Sequence, residues 1–250
     1  MQAQSFIEKA ISLLSRLRGP CESQTGKQAC SSKGYLPAKQ TVEMATRSGL
    51  SVCDYVEKIW QQQGSTEKVV GELVRLGVFD GERNHILEIG AGTGRYLEKV
   101  LQVCRPELYE SYETARDWSD WLQGEYPIIS RDANGDSLGG TKTNSVDVIH
   151  AHGLFVYVPF LVSCRYFREI FRVAGKESWV AFDVLSEDCF DKTVMDRWLD
   201  SAHDYPCFLS TDFVVSLFVE QGFSLVSTFM NDYGEGRSKY LVFKKQEFSL

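Results

Sequence analysis

Residues 85–100, "HILEIGAGTGRYLEKV", decide the fold. The apolar run at 85–89 has strand length, and "GRYLEKVLQVC" behind it carries apolar residues at helical spacing. Between them Gly90, Gly92 and Gly94 stand at every second position, with Glu88 two places ahead of the first. Glycine has no β-carbon, so such a turn can adopt left-handed conformations and press its backbone against a ligand. A strand, a glycine-rich turn and a helix form the first βα unit of a doubly wound sheet, where ligands bind.

Further apolar runs of strand length follow: "LYESYE" (108–113), "PIIS" (127–130), "SVDVIHA" (145–151) and "SWVAFDV" (178–184). Helical segments separate them, namely "ARDWSDWLQ", "PFLVSCRYFREIFRVA" and, near 210–221, "STDFVVSLFVEQ". Strands alternating with helices imply a mostly parallel sheet covered on both faces. The end breaks the pattern: "FSLVSTFMNDYGEGRSKYLVFKK" reads as two strands about a glycine-rich turn, which must pair antiparallel. The expected fold is α/β, a Rossmann-like doubly wound seven-stranded sheet with a C-terminal antiparallel hairpin.

Ahead of this lies an N-terminal helical cap. "SFIEKAISLLSRLRG" is amphipathic, and Lys9, Arg16 and Arg18 beside its apolar face would suit a membrane surface; the favoured reading packs it on its own domain or on a second copy in a homodimer. Residues 19–36 are small and polar and read as a linker. "SVCDYVEKIWQQQ" is helical up to Gly64, and "STEKVVGELVRLGVF" opens with a Ser/Thr cap and an early glutamate. The cap is assigned to residues 1–64 and the α/β domain to 65–250.

Of the 250 residues 43% are hydrophobic and 24% charged, an ordinary globular balance. The net charge is −7 and no basic run exists, which disfavours a nucleic-acid substrate. The seven cysteines are odd in number and form no Cys-x-x-Cys pair, against a disulfide framework or a zinc site. No apolar run reaches the roughly 18 residues of a membrane span. No secretory signal is evident, so a cytoplasmic protein is expected.

The dinucleotide fingerprint is G-x-G-x-x-G, with pyrophosphate at the helix N-terminus. Here the spacing is G-x-G-x-G, and the Glu88 carboxylate would repel a phosphate in a partly desolvated cleft. A ligand bearing an ammonium or sulfonium group fits better.

"EIGAGTG" resembles the first motif of the class I S-adenosylmethionine-dependent methyltransferases, whose sheet also ends in an antiparallel hairpin. The likeness covers roughly residues 65–250. "GTGRYLEKVL" behind a Trp-containing helical segment further resembles bacterial small-molecule methyltransferases. The resemblance implies S-adenosylmethionine as cofactor, with S-adenosylhomocysteine as product, and contacts from Glu88, Gly90, Ala91, Gly92 and Gly94. It also implies an acidic residue at the end of strand 2 for the ribose hydroxyls. Glu113 stands there, nineteen residues beyond Gly94, with Thr114 next to it; Glu110 lies mid-strand and reads as a surface residue. After strand 3, Asp132 and Asn134 are both candidates for the adenine end, and Asp136 lies in the same turn.

After strand 4, "VDVIHAHGLFVYVPF" places His150 and His152 where the methyl acceptor should approach. One of them, His152 ahead of His150, is the candidate general base; the alternative is that the imidazoles only shape the pocket. A metal role for the pair lacks a third ligand at suitable spacing. Tyr157 and Phe155 follow in the same loop and can flank the acceptor or be core. Tyr55 and Trp60 belong to the segment that folds over the cofactor in similar enzymes, and Trp118 and Trp121 read as packing residues. Residues 185–209 form a long insertion suited to a lid, with Asp183, Glu187, Asp188 and Arg197 as polar candidates for the acceptor, a small molecule or saccharide methylated at oxygen. The rival readings are an NAD(P)-dependent oxidoreductase and a non-catalytic binding subunit of the same fold.

Overall fold

A computed structural model describes residues 35–80, 83–200, 207–234 and 236–246. The amphipathic helix expected near residues 5–18 and most of the linker after it lie outside the described residues. The first described helix, α1 (Ala38–Arg47), was not expected from the sequence. It buries only Ala38, Thr41 and Ala45, so its apolar stripe is too thin to register as a periodic pattern. Helix α2 (Val52–Ile59) starts on a side-chain cap, with Ser51 accepting the Asp54 N–H at 3.1 Å. It stops four residues short of the expected end at Gln63, because Gln61 turns left-handed.

Helix α3 (Ser65–Arg75) corrects a second expectation. Gly64 occupies its cap position and carries no side-chain cap; the Glu57 carboxylate of α2 serves instead, accepting the Gly64 N–H at 2.6 Å and the Thr66 N–H at 2.8 Å. An anion at a helix N-terminus satisfies free donors and complements the dipole.

Then the α/β alternation begins. It runs β1 (His85–Ile89), α4 (Arg95–Val103), β2 (Leu108–Tyr112), α5 (Arg116–Glu125), β3 (Ile129–Arg131), β4 (Val146–Ala151), α6 (Phe160–Val173) and β5 (Ala174–Val184). Within the 185–209 insertion lie a short 3-10 turn and α7 (Lys192–Asp200), followed by α8 (Thr211–Glu220). The hairpin β6 (Phe223–Tyr233) and β7 (Gly236–Lys245) closes the fold.

The seven strands form one sheet in the order β3-β2-β1-β4-β5-β7-β6. Neighbouring strands from β3 to β5 pair parallel, whereas β7 is antiparallel to both β5 and β6. This is the seven-stranded Rossmann-like sheet with the antiparallel end that the sequence pattern implied.

Side-chain parity divides the core. Leu87, Ile89, Ile149, Ala151, Phe182 and Phe243 face the side covered by α6 and α8. Ile86, Tyr109, Val148, Ala181 and Val242 face the side covered by α3 and α4. Both strands and helices are buried on this scale because parallel strands lie between two helical layers. The insertion adds a small cluster of its own, in which Val156, Leu185, Cys189, Val194 and Trp198 pack together. Helices α1 and α2 pack against Trp118 of α5, whose indole N–H donates to the Leu36 carbonyl at 2.7 Å.

Among the described residues no helix is long and apolar enough to cross a membrane, and no group of three or more His, Cys, Asp or Glu could hold a metal ion. Cys53, Cys104, Cys164, Cys189 and Cys207 are free thiols.

Candidate active site

The turn between β1 and α4 is built from three left-handed glycines, with φ of +73° at Gly90, +54° at Gly92 and +77° at Gly94. Each position has its own reason. A β-carbon on Gly90 would stand 3.2 Å from Leu154 Cδ1, so the turn can lie close to the chain leaving β4. One on Gly94 would stand 2.5 Å from Leu122 Cδ2, so this glycine lets α4 pack on α5. At Gly92 a β-carbon would meet nothing within 4 Å. That is the open face of the turn, where a ligand can approach the backbone.

Glu113, just past β2, reaches over this face. Its Oε2 accepts the Gly92 N–H at 2.6 Å and its Oε1 accepts the Ala115 N–H at 2.7 Å. The two features expected of a ribose site therefore come together, with Glu113 partly exposed and lone pairs left to accept more bonds. Thr114 is exposed beside them and borders Gly135 of the loop after β3. In that loop Asp132 and Asn134 line one cavity, together with Ala133 and Ser137. Asn134 Oδ1 is occupied within the turn, accepting the Ser137 N–H and hydroxyl at 3.0 Å each, while Asp136 pairs with Arg165 at 2.7 Å.

Glu110 is not the surface residue that its mid-strand position suggested. It is buried and ion-paired to Arg131, bonded by the Thr141 hydroxyl, and 3.3 Å from His85 Nε2. Burial works to raise its pKa, but the bonds from His85, Thr141 and Arg131 outweigh it and hold the carboxyl down at about 2. In a parallel strand covered on both faces, a mid-strand charge must find partners inside.

Glu88 is also buried, with its Oε2 accepting the Tyr109 hydroxyl at 2.7 Å. Burial pushes its pKa up to about 8, helped by the nearby Glu113 charge and opposed by the Tyr109 bond. Register places Glu88 of β1 beside His150 of β4 on the same sheet face. The Tyr109 oxygen lies 3.0 Å from His150 Nε2, and His150 Nδ1 lies 2.9 Å from His152 Nε2. His152 Nδ1 lies 3.0 Å from the Tyr240 hydroxyl, which lies 3.3 Å from that of Tyr96. The Tyr96 ring stacks on His152 with centroids 3.5 Å apart. Burial depresses both imidazoles, His150 to about 3. Every ring nitrogen of the pair is thus taken by a protein partner, and neither imidazole offers one directly to an acceptor.

At the carboxyl ends of β4 and β5, Asp183 accepts the Gly153 N–H at 2.7 Å, and burial raises its pKa to about 6. Tyr157 is half exposed, and the charges of Glu113, Asp183 and Arg95 act on its phenol. Phe155 is core, packed on Phe167 and Phe182. The Arg95 guanidinium lies over Trp60 at 4.6 Å from the ring centroid and over Tyr96 at 5.7 Å. A cation in the first turn of α4 opposes the helix dipole. Glu187 accepts the Thr211 N–H at 3.2 Å, and Asp188 pairs with Lys239 across the insertion.

Sequence reading missed Tyr96, Arg95, Tyr109 and Tyr240. Tyr109 and Tyr240 share the parity of Glu88, His150 and His152 once the strands are aligned. That alignment across strands was the signal, and no single strand contains it.

A family model described as a methyltransferase domain matches residues 59–228. No curated protein matches the sequence. Among solved structures, the chain is similar to a magnesium protoporphyrin IX methyltransferase from Synechocystis with bound S-adenosylhomocysteine. That match has 12% identity and a TM-score of 0.57, covering 95% of each chain. A candidate sarcosine dimethylglycine methyltransferase from Galdieria sulphuraria shows 15% identity and a TM-score of 0.56, over 76% of this chain and 88% of that one. A SAM-dependent methyltransferase from Methanosarcina mazei shows 14% identity and a TM-score of 0.55, over 69% and 97%. With the strand order, the left-handed glycine turn and a family match across most of its length, this chain belongs to the methyltransferase-domain family and carries the class I fold.

Proposed function

We propose that the protein transfers a methyl group from S-adenosylmethionine to the oxygen of a small-molecule or saccharide acceptor, releasing S-adenosylhomocysteine. The observation that carries this reading is the Glu113 carboxylate poised over the open backbone at Gly92. The residues present fit the cofactor. A carboxylate with free lone pairs suits two ribose hydroxyls, and the buried acid Glu88, two places before Gly90, suits a cationic sulfonium. Thr114, Asp132 and Asn134 border the adenine end, with Gly90, Ala91, Gly92 and Gly94 forming the floor. The cofactor would supply an activated methyl group on sulfur; the chain supplies alignment and exclusion of water.

The acceptor side is formed by Tyr157, Asp183 and Arg95, with α1, α2 and α7 as its cover. Among the described residues Arg95 makes no ion pair, so a polar or acidic acceptor is favoured over an apolar one.

Calorimetry tests the reading. S-adenosylhomocysteine should bind and NAD should not; binding of NAD alone would overturn it. Incubation with methyl-labelled cofactor and fractionated cell extract should then label a small molecule or glycan at oxygen. Label confined to protein or nucleic acid would sink the acceptor class.

A further inference from the structure

Five hydrogen bonds join six side chains into one continuous line through the sheet face beneath α4. The line runs from Glu88 to Tyr109, His150, His152, Tyr240 and Tyr96. Its members come from β1, β2, β4, β7 and α4, with His152 just past the end of β4, and all are buried. Buried polar groups on this scale need a full set of partners, and here each of the four inner groups has one on either side.

The line has a direction. An ionised carboxylate can only accept, so Tyr109 must donate to Glu88. The Tyr109 oxygen then accepts from His150 Nε2–H, and His150 Nδ1 accepts from His152 Nε2–H. His152 Nδ1 accepts from the Tyr240 hydroxyl, which accepts from Tyr96. A protonated Glu88 donates instead, and every hydrogen along the line moves across its bond. Both imidazoles then carry their proton on Nδ1. The second state holds one more proton, on Glu88, and differs from the first in the tautomer of both histidines and in the direction of the hydroxyl bonds between them and the ends.

We propose that this line is a proton relay, by which Glu88 takes up the proton that an acceptor hydroxyl loses at the Tyr96 end. The inference rests on the oxygen-methylation reading above. In the net reaction a carbon–oxygen bond forms, the carbon–sulfur bond breaks, and its electron pair stays on sulfur. The acceptor proton enters at the Tyr96 hydroxyl, each member passes one proton on, and the last reaches the Glu88 carboxylate. A sulfonium and a carboxylate become a neutral thioether and a neutral acid, so no net charge is left buried. His150 and His152 are relay members, which accords with both nitrogens of each ring being engaged.

The charged and titratable surroundings favour this polarity. Glu88 meets Tyr109 from β2, Glu113 beyond β2 and His150 from β4. Cys104, at the end of α4, acts on Tyr109. The upper end meets Arg95 from α4, Asp183 from β5 and Glu57 from α2. Without a cation beside it, Glu88 favours its neutral form, because it is buried and faces the Glu113 charge. A sulfonium favours the ionised form.

The test is nitrogen NMR of protein labelled at histidine, at pH 7, alongside calorimetry in buffers of different ionisation heat. Without cofactor, and with S-adenosylhomocysteine, His150 and His152 should be protonated at Nδ1. With S-adenosylmethionine both should be protonated at Nε2, and close to one proton should be released on binding, given a carboxyl with a pKa of about 8. His85, whose Nδ1 lies 2.9 Å from the Ser145 carbonyl, should not change and serves as the internal reference. Glu88→Gln should abolish both the swap and the release. Tyr109→Phe, which cuts the line without removing the carboxyl, should keep the release and lose the swap. Binding of S-adenosylmethionine with unchanged tautomers would overturn the relay alone. Failure to bind it would overturn the functional reading and the relay with it.

Discussion

Leu122 of α5 fills the space into which a side chain on Gly94 would grow, its Cδ2 lying 2.5 Å from the position of an added β-carbon. Gly92, two residues earlier, has open space in the same place. Alanine at the two positions should therefore fail in different ways. Left-handed backbone costs a non-glycine residue about 1–2 kcal/mol. At Gly94, overpacking adds about 1–3 kcal/mol. Gly94→Ala should lower the melting temperature markedly, whereas Gly92→Ala should melt only slightly lower and lose most affinity for S-adenosylhomocysteine. Equal melting temperatures for the two variants would contradict this account of the turn.

Glu57 of α2 holds the start of α3. Its carboxylate accepts two backbone N–H groups, and it is buried. Glu57→Ala removes two charge-assisted bonds and leaves the donors unsatisfied, at about 1–3 kcal/mol. Ser65→Ala should cost far less, because no Ser65 side-chain bond caps the helix. Chemical denaturation of the two variants checks the order, and a larger loss for Ser65→Ala would restore the sequence-based cap.

Glu110, His150 and Glu88 shape the pH dependence of stability without cofactor. His152 acts in the same sense as His150, and Asp183, raised to about 6, acts in the same sense as Glu88. Glu110 titrates at about 2 rather than 4.5 and His150 at about 3 rather than 6.5, so the unfolded chain binds more protons at low pH. Stability from these two is lost as pH falls, below about 6.5 for His150 and below about 4.5 for Glu110. Glu88 has the opposite sign. Its folded pKa of about 8 lies above 4.5, so its contribution is complete below pH 4.5 and lost as pH rises to 8. The His150 gain and the Glu88 loss oppose each other between about 4.5 and 6.5, leaving a broad maximum there. Stability should fall between pH 6.5 and 8, and Glu88→Gln should flatten that fall. Melting curves across pH 3–9 read it directly; a maximum near pH 8 in the wild type would exclude a raised Glu88.

The order of elements was legible in the sequence because periodicity reports local burial, and β1 was delimited to the residue. Strand β5 was not: it begins at Ala174, four residues early, directly after α6. The polar "GKES" stretch hid it, and Glu177 interrupts it with a φ of +52°. Helix α1 escaped because Ala and Thr form its buried face. In the candidate site, Glu113 was singled out by its distance from the glycines, a spacing held within one βα unit, and it lies against Gly92. Tyr109 and Tyr240 lie 131 residues apart in sequence, and only strand register brings them to the same two histidines. Glu110 was misread because its partners Arg131, Thr141 and His85 come from three other segments.

Glu113 offers the sharpest check on cofactor binding. Its carboxylate already holds the Gly92 and Ala115 N–H groups, which fixes its orientation before any ligand arrives. Two ribose hydroxyls donating to it would make bonds to a charged group, worth about 1.5–3 kcal/mol each. Glu113→Ala should therefore weaken S-adenosylhomocysteine by about 3 kcal/mol or more, roughly a hundredfold. Glu113→Gln retains the shape and one accepting oxygen, so it should fall between wild type and alanine. The side chain is only partly buried, and its loss frees N–H groups that water can reach, so both variants should melt close to the wild type. That separation of affinity from stability matters, because a purely structural Glu113 would shift melting and leave binding alone. Calorimetry and melting on the same samples decide between the two, and unchanged affinity in Glu113→Ala would mean that the ribose lies elsewhere.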